Sequence, residues 1–138
     1  PDGTTFSAPA TLTLPAGAER LEIHVNLGGS MTINGNELDN EILVFLDATT
    51  TVTVNGLGGN DKIAVNPADD PFGEAVEGQT FLNGGQGNDT IQGGSMADLI
   101  HGNEGNDSLL GGAGDDTLFG DSGTDTLNGQ GGTDVETP

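Results

Sequence analysis

Aspartates recur at every ninth residue in the last third of the chain, and each belongs to a nonapeptide with the same pattern. The six nonapeptides run without a gap from Gly84 to Thr137 and read GGQGNDTIQ, GGSMADLIH, GNEGNDSLL, GGAGDDTLF, GDSGTDTLN and GQGGTDVET. Position 1 is always glycine and position 6 is always aspartate, whereas position 4 is glycine except at Met96. Position 8 is Ile or Leu except at Glu136. A strict nine-residue period with an invariant carboxylate predicts a solenoid that is organised by metal.

The residue types in these nonapeptides favour calcium over other metals. Glycines at positions 1 and 4 permit positive φ, so the chain can turn sharply and direct several carbonyl groups at one point. The aspartate adds an anionic oxygen, and the chain contains no Cys and two His. Calcium accepts about 6 to 8 oxygen ligands in irregular geometry, whereas magnesium requires a small octahedron and retains its waters. We therefore expect calcium.

The elements that must position these loops are short strands. Positions 7 to 9 suffice for one rung of a parallel sheet, with position 8 pointing inward and positions 7 and 9 pointing outward. Two nonapeptides, about eighteen residues, would then form one flattened coil with a loop at each edge. Loops one coil apart would stack with a cation between them.

The stretch resembles the RTX repeats of secreted bacterial proteins, whose consensus is GGxGxDxUx. GGQGNDTIQ and GGAGDDTLF match that consensus at every defined position. The resemblance implies an all-β, right-handed parallel β-roll (a β-solenoid) with about five calcium ions between its loops. It also implies a secreted, extracellular or cell-surface location and folding upon contact with external calcium.

The resemblance further implies which residues bind the metal. The position-6 aspartates of alternate repeats would form one column at each edge, with Asp89, Asp107 and Asp125 in one and Asp98, Asp116 and Asp134 in the other. Loop carbonyl groups would complete the sites near Gly85, Gly87, Gly94, Gly105, Gly112, Gly114 and Gly123.

A partial copy of the repeat lies upstream, in residues 56–64, and it carries Asp61 at position 6. It is followed by a spacer in which residues 66–73 read as a loop and Thr80-Phe81-Leu82 as a rung. We interpret this as one coil with an insertion, so that Asp61 stacks beneath Asp89. The sequence thus divides into residues 1–55, residues 56–83 with the degenerate nonapeptide and the inserted loop, and residues 84–138 with the six repeats.

Residues 1–55 contain short alternating segments that predict strands and no helix. The segments are 11–14, 21–25, 31–33, 42–46 and 51–54. Two arrangements fit them, namely further coils of the same solenoid or a separate small sandwich. Their even spacing and their direct continuation into the Asp61 loop favour one continuous solenoid.

The composition excludes several functions. Twenty-two Asp and Glu against two Lys and Arg give a net charge of −20, which excludes nucleic acid as a partner. A strongly acidic chain repels its own compact state, and divalent cations would relieve that repulsion. There is no hydrophobic run long enough for membrane insertion. The sequence contains no nucleophile elbow, zinc signature or phosphate loop, so we expect no enzymatic activity and no catalytic residues.

Three functions compete on the sequence, of which a face that binds carbohydrate or ice is the weakest, because the chain contains no Trp or Tyr and the repeat strands lack ranks of paired Thr. The first is an extracellular structural or adhesive calcium-binding module that folds with calcium and assembles end to end into filaments. The second is a passive calcium-triggered folding and secretion aid for a larger enzyme or toxin. The chain stops just after a degenerate repeat, and this favours contact with a further module or with another copy. Apolar residues at outward positions 7 or 9 are candidates for such contacts: Leu99, Leu110 and Phe119.

Overall fold

The fold consists of short strands that return to the same place once in every coil. A computed structural model describes residues 10–25, 29–46, 50–66 and 79–138, and these ranges contain thirteen strands and no helix. Accordingly, these ranges provide no helix of the length and apolar character needed to cross a membrane. The strands are β1 (Ala10–Thr13), β2 (Arg20–Val25), β3 (Gly29–Asn36), β4 (Glu41–Leu46), β5 (Thr50–Gly58), β6 (Lys62–Val65), β7 (Gln79–Gln86), β8 (Thr90–Gly94), β9 (Ala97–Glu104), β10 (Ser108–Ala113), β11 (Thr117–Ser122), β12 (Thr126–Gly131) and β13 (Val135–Thr137).

Odd-numbered and even-numbered strands form two separate parallel sheets. One sheet has the order β1-β3-β5-β7-β9-β11-β13 and the other has the order β12-β10-β8-β6-β4-β2. Every strand therefore pairs with the strands two places away along the chain, which is the topology of a parallel β-solenoid. The strands of residues 10–58 belong to the same ladders as the repeats, so the continuous solenoid is confirmed and the separate sandwich is wrong. Strands β5 and β7 cross the segment boundaries expected after residues 55 and 83, and the three-part division itself stays a prediction.

The coils differ in length along the chain. Residues stacked in successive coils are 21 apart between Asn40 and Asp61, 28 apart between Asp61 and Asp89, and 18 apart between Asp89 and Asp107. The 18-residue coil of two nonapeptides is thus confirmed, and the long coil contains the spacer. The expected rung at Thr80-Phe81-Leu82 lies within β7. Apart from Asn66, the loop expected at residues 66–73 lies outside the described residues.

The core lies between the two sheets and becomes less apolar towards the repeats. In the repeats the side chain at position 8 is fully buried, as expected, at Ile91, Ile100, Leu109 and Leu118. Its inward-facing neighbours at positions 6 and 1 are aspartate and glycine. In the upstream coils the inward positions are mostly aliphatic, with Met31, Ile33, Ile42, Val44, Val52 and Val54 buried in one cluster. Burial of apolar surface is the main force that stabilises a fold. One hydrophobic cluster runs through both parts, but it is more apolar in the upstream coils than in the repeat coils.

Side chains on the outward faces of the sheets contact side chains of the neighbouring coil. His101 stacks on Phe119 with ring centroids 4.6 Å apart, and its Nδ1 lies 2.9 Å from the Asp121 carboxylate. Leu99 and Leu110 are half-buried on the outer faces of the two sheets. Whether these side chains also contact another copy of the chain remains a prediction.

Candidate metal centre

The position-6 aspartates stack into two columns through backbone hydrogen bonds. In the first column the amide of Asp61 donates to Asp89 Oδ1 at 2.7 Å, that of Asp89 to Asp107 Oδ1 at 2.8 Å, and that of Asp107 to Asp125 Oδ1 at 2.9 Å. Each carboxylate thus orients the loop of the preceding coil. Asp61 lies in this column, beneath Asp89, as the sequence predicted.

The second column follows the same rule at the other edge. The amide of Asp98 donates to Asp116 Oδ1 at 2.9 Å, and that of Asp116 donates to Asp134 Oδ1 at 3.1 Å. At its upstream end, the hydroxyl of Thr80 donates to Asp98 Oδ1 at 2.7 Å. The structure therefore groups all seven predicted aspartates as expected.

The second oxygen of most of these carboxylates has no protein partner. Asp61, Asp89, Asp107 and Asp116 are at most 3% exposed, and the Oδ2 atom of each is buried without a hydrogen bond. An unsatisfied buried carboxylate oxygen is costly, because it has lost its water and gained nothing in return. A cation beside each Oδ2 would remove that cost.

Burial also changes the acidity of these carboxyl groups. Loss of solvation raises the pKa of Asp61, Asp89 and Asp98 from 3.8 to about 6, against the opposing effect of the amide and hydroxyl groups that donate to them. Loss of solvation likewise raises the pKa of Asp107 and Asp116. Binding of calcium to Asp61 and Asp89 therefore competes with protons just below neutral pH.

The chain's own cations do not neutralise these columns. Arg20 and Lys62, its two basic residues, both lie on the outer face of the even-numbered sheet, where each forms an ion pair with Glu41 at 3.4 and 3.0 Å. Lys62 follows Asp61 directly, but consecutive residues of a strand point to opposite faces. The interior carboxylates thus lack a basic partner, and the neutralising charge must come from outside the chain.

The glycines at position 1 serve a different purpose from the one expected. None of these six glycines has positive φ, so the left-handed turn that glycine permits is not used at position 1. A Cβ added to Gly84 would overlap Asp89 Oδ2 and lie 2.8 Å from the carbonyl oxygen of Gly102. The same crowding by the repeat's own aspartate occurs at Gly102 and Gly111. Position 1 is glycine because the carboxylate folds over its Cα and a carbonyl oxygen of the next coil approaches the same point.

Positive φ occurs instead at positions 2 and 4. Position 4 has φ between 101° and 151° at Gly59, Gly87, Gly105, Gly114, Gly123 and Gly132. Position 2 is left-handed in the same six loops, where it is Gly85, Gly112, Leu57, Asn103, Asp121 or Gln130. Six of the seven glycines expected near loop carbonyls thus have positive φ, and Gly94 does not.

The residue at position 5 was missed by the sequence reasoning. The amide of Asn88 donates to Asn60 Oδ1, and the amide of Asn106 donates to Asn88 Oδ1, both at 2.8 Å. These bonds run in the opposite direction to those of the aspartate column, so each loop is fixed to both of its neighbours. The signal was present in the sequence, since Asn precedes Asp at 60, 88 and 106.

Leu57 is the strained member of the position-2 series. It has φ of 87° and is 44% exposed, whereas its partner in the next coil is Gly85. A left-handed conformation costs a non-glycine residue roughly 1–3 kcal/mol. We expect Leu57→Gly to stabilise the protein by about 1 kcal/mol, after allowing for the chain entropy of glycine. A thermal melt in calcium measures this, with Leu57→Ala as the control, since alanine removes the exposed side chain but keeps a Cβ at positive φ. A Leu57→Gly variant that melts below the natural protein would contradict the strain argument.

A loop that precedes the predicted column of aspartates stacks in the same way, with the side-chain amide of Asn40 in place of the carboxylate. Asn40 is 2% exposed and its amide donates to Asp61 Oδ1 at 2.8 Å, which places it at the head of the first column. Its Nδ2 donates to the carbonyl oxygen of Ala18 at 3.2 Å and to Asn36 Oδ1 at 3.1 Å. Residues 35–43 thus form a further nonapeptide, with glycine at position 1 and isoleucine at position 8. It could not be recognised from the sequence pattern because it lacks the aspartate at position 6.

The donor set fits a calcium ion bound mainly by the backbone. In the described part of the chain no three His, Cys, Asp or Glu side chains converge on one point. One carboxylate oxygen per loop would therefore be supplemented by backbone carbonyl oxygens of the loops, where residues with positive φ allow sharp turns. All of these ligands would be oxygen, as calcium prefers.

Comparison with known proteins agrees with this geometry. The family model of the RTX calcium-binding nonapeptide repeat, which spans four copies, matches residues 76–109, 83–117 and 101–136. No curated protein and no solved structure matches the chain.

Proposed function

Because the chain carries RTX calcium-binding nonapeptide repeats over residues 76–136, we propose that it is an extracellular calcium-binding module whose repeat coils fold when they bind the ion. The repeats imply calcium binding. The proposal adds the coupling to folding, the location and a structural role, and it assigns no catalytic step to the chain.

One observation carries the coupling to folding. Four buried carboxylates each present an unpartnered Oδ2, while both basic residues of the chain are paired on an outer face. Without a cation, these coils would bury carboxylates next to one another. About one buried aliphatic side chain in nine residues would be left to offset the free-energy cost of burying those charges. A metal that binds only the folded loops contributes its binding free energy to folding.

The location and the structural role are supported by the repeat type and by the topology. Repeats of this type typify secreted bacterial proteins. Each added coil lengthens both sheets by one strand, about 4.8 Å. Stacked coils therefore suit a rigid spacer, and the proposal includes end-to-end assembly through the edge strands of the two sheets.

Isothermal titration calorimetry tests the binding directly. The metal-free protein should bind several calcium ions with dissociation constants of about 10⁻⁴ to 10⁻³ M, the range of extracellular calcium modules. Magnesium should bind more weakly, because it demands a regular octahedron of ligands. Absence of binding at millimolar calcium would sink the proposal.

Light scattering on the same samples tests the assembly. Calcium should produce large species that dissolve upon chelation. A monodisperse monomer in saturating calcium would remove end-to-end assembly from the proposal and leave the binding module intact.

A further inference from the structure

The loops at the two edges of the solenoid occur in two conformations. In six of them, residues 56–61, 84–89, 102–107, 111–116, 120–125 and 129–134, positions 2 and 4 both have positive φ. We call these the open loops. In the loops of residues 35–40 and 93–98 neither position has positive φ, and we call these the closed loops.

We infer that the closed loop of residues 93–98 binds no calcium, and that Met96 at position 4 is the residue that closes it. This inference rests on the proposed calcium function and specifies which loops of this chain perform it.

Hydrogen bonds show how the closed loop satisfies its own carboxylate. The amide of Gly94 donates to Asp98 Oδ2 at 2.8 Å, and the Thr80 hydroxyl donates to Asp98 Oδ1 at 2.7 Å. Both oxygens of Asp98 thus have donors, although the side chain is 2% exposed. The equally buried Asp89, Asp107 and Asp116 of open loops each retain an unpartnered Oδ2. Asp98 therefore has no free oxygen aimed into its loop.

The loop of residues 35–40 shows the same closure independently. The amide of Asn36 at position 2 donates to Asn40 Oδ1 at 2.9 Å, in the manner of Gly94 and Asp98. Position 6 is an amide in one loop and a carboxylate in the other, so the type of the position-6 side chain does not decide the conformation. The shared feature is position 4, which is Leu38 in one loop and Met96 in the other, whereas it is glycine in every open loop.

Side-chain sterics explain why position 4 decides the conformation. A residue with a Cβ is disfavoured at positive φ, which the open loop requires there. Burial of the side chain is not the cause, because Met96 is 6% exposed and Leu38 is 41% exposed. With positive φ excluded at position 4, the backbone instead directs the position-2 amide at the position-6 side chain.

The consequence is a specific number of ions. Open loops follow one another directly at four places, marked by the hydrogen bonds from Asp61 to Asp89, Asp89 to Asp107, Asp107 to Asp125 and Asp116 to Asp134. Each of these spaces holds one ion. The space between Asp98 and Asp116 holds none, since one of its two loops is closed.

Native mass spectrometry in saturating calcium counts the ions. We expect four in the natural protein, five in Met96→Gly and four in Met96→Ala. The alanine variant is the matched control, because it shortens the same buried side chain but keeps the Cβ that closes the loop. No gain in Met96→Gly, or an equal gain in Met96→Ala, would overturn the inference, as would five ions in the natural protein.

Aspartate substitutions test the same inference without opening the loop. Asp98→Asn should keep the natural ion count, whereas Asp116→Asn should lose one ion. Equal losses in both variants would show that Asp98 binds calcium and would overturn the inference. Failure of the natural protein to bind any calcium would instead overturn the proposed function, so the two failures are distinguishable.

Discussion

Removal of calcium should unfold the repeat coils and leave the upstream coils folded. Hydrogen–deuterium exchange in calcium-free buffer is expected to show rapid exchange across β8 to β13. Backbone amides in β3, β4 and β5 should retain most of their protection. Restoring millimolar calcium should restore protection throughout the repeats.

The reason lies in what each part of the solenoid buries. Upstream coils bury aliphatic side chains at most inward positions, and their edge loop is closed by the amides of Asn36 and Asn40. The first four repeats each bury one aliphatic side chain at position 8, beside a carboxylate and a glycine. Each calcium site contributes about 1.4 kcal/mol when free calcium is ten times the dissociation constant. Four such sites together reach the lower end of the total stability of a typical domain, roughly 5–15 kcal/mol.

The exchange experiment has a clear negative outcome and a clear control. Magnesium at the same concentration should leave the repeats exchanging rapidly, because the loops offer an irregular oxygen cage. Equal protection with and without calcium would contradict the coupling of metal binding to folding. Loss of protection in β3 to β5 as well would show that the upstream coils depend on the repeats.

Local patterns in the sequence were sufficient to predict the stacked strands of the solenoid and the two columns of aspartates. The alternation of polar and apolar residues located the upstream strands, and the nine-residue phase put the position-8 side chains inside. The partial repeat around Asp61 was placed correctly because the extra residues of its coil follow the Asp61 loop and leave the pattern of that loop unchanged. These features depend on residues that are close together in the chain.

Contacts between coils were the part that could not be predicted. Whether position 1 must be glycine depends on a carboxylate five residues later and on a carbonyl oxygen one coil away, and neither contact appears in a nine-residue window. The nonapeptide at residues 35–43 was hidden because the upstream coils have a spacing of 21 residues and carry Asn40 where the repeats carry aspartate. The loop conformation at Met96 was likewise visible only once the partner of Gly94 was known.

Acid should stabilise the metal-free repeat coils, whereas it destabilises most proteins. In calcium-free buffer, the β signal in far-ultraviolet circular dichroism is expected to increase as the pH falls from 7.5 to 5. Buried carboxyl groups are the cause, since burial raises the pKa of Asp61, Asp89 and Asp98 from 3.8 to about 6. The folded chain therefore binds protons more tightly than the unfolded chain, whose carboxyl groups titrate near 3.8. This contribution to stability is fully present below pH 3.8 and is lost as the pH rises through about 6.

Three carboxyl groups shift in the same direction, so their contributions to stability add. A pKa difference of one unit corresponds to about 1.4 kcal/mol before solvent screening, and screening in these edge loops lowers the contribution of each group. Calcium acts on Asp61 and Asp89 in their ionised form. The difference in melting temperature between calcium-loaded and metal-free protein should therefore be greatest above pH 7 and should narrow as the pH falls through about 6.

Matched variants separate the buried carboxyl groups from the general effect of net charge. Asp89→Asn removes a buried titrating group. In the metal-free protein it should therefore reduce the increase in β signal that acidification produces. Glu104→Gln removes the same charge from an exposed side chain of a neighbouring loop and should leave the gain unchanged. Equal effects of both variants would attribute the acid response to net charge alone. A metal-free protein that loses β signal between pH 7.5 and 5 would show that its carboxylates already have partners other than calcium.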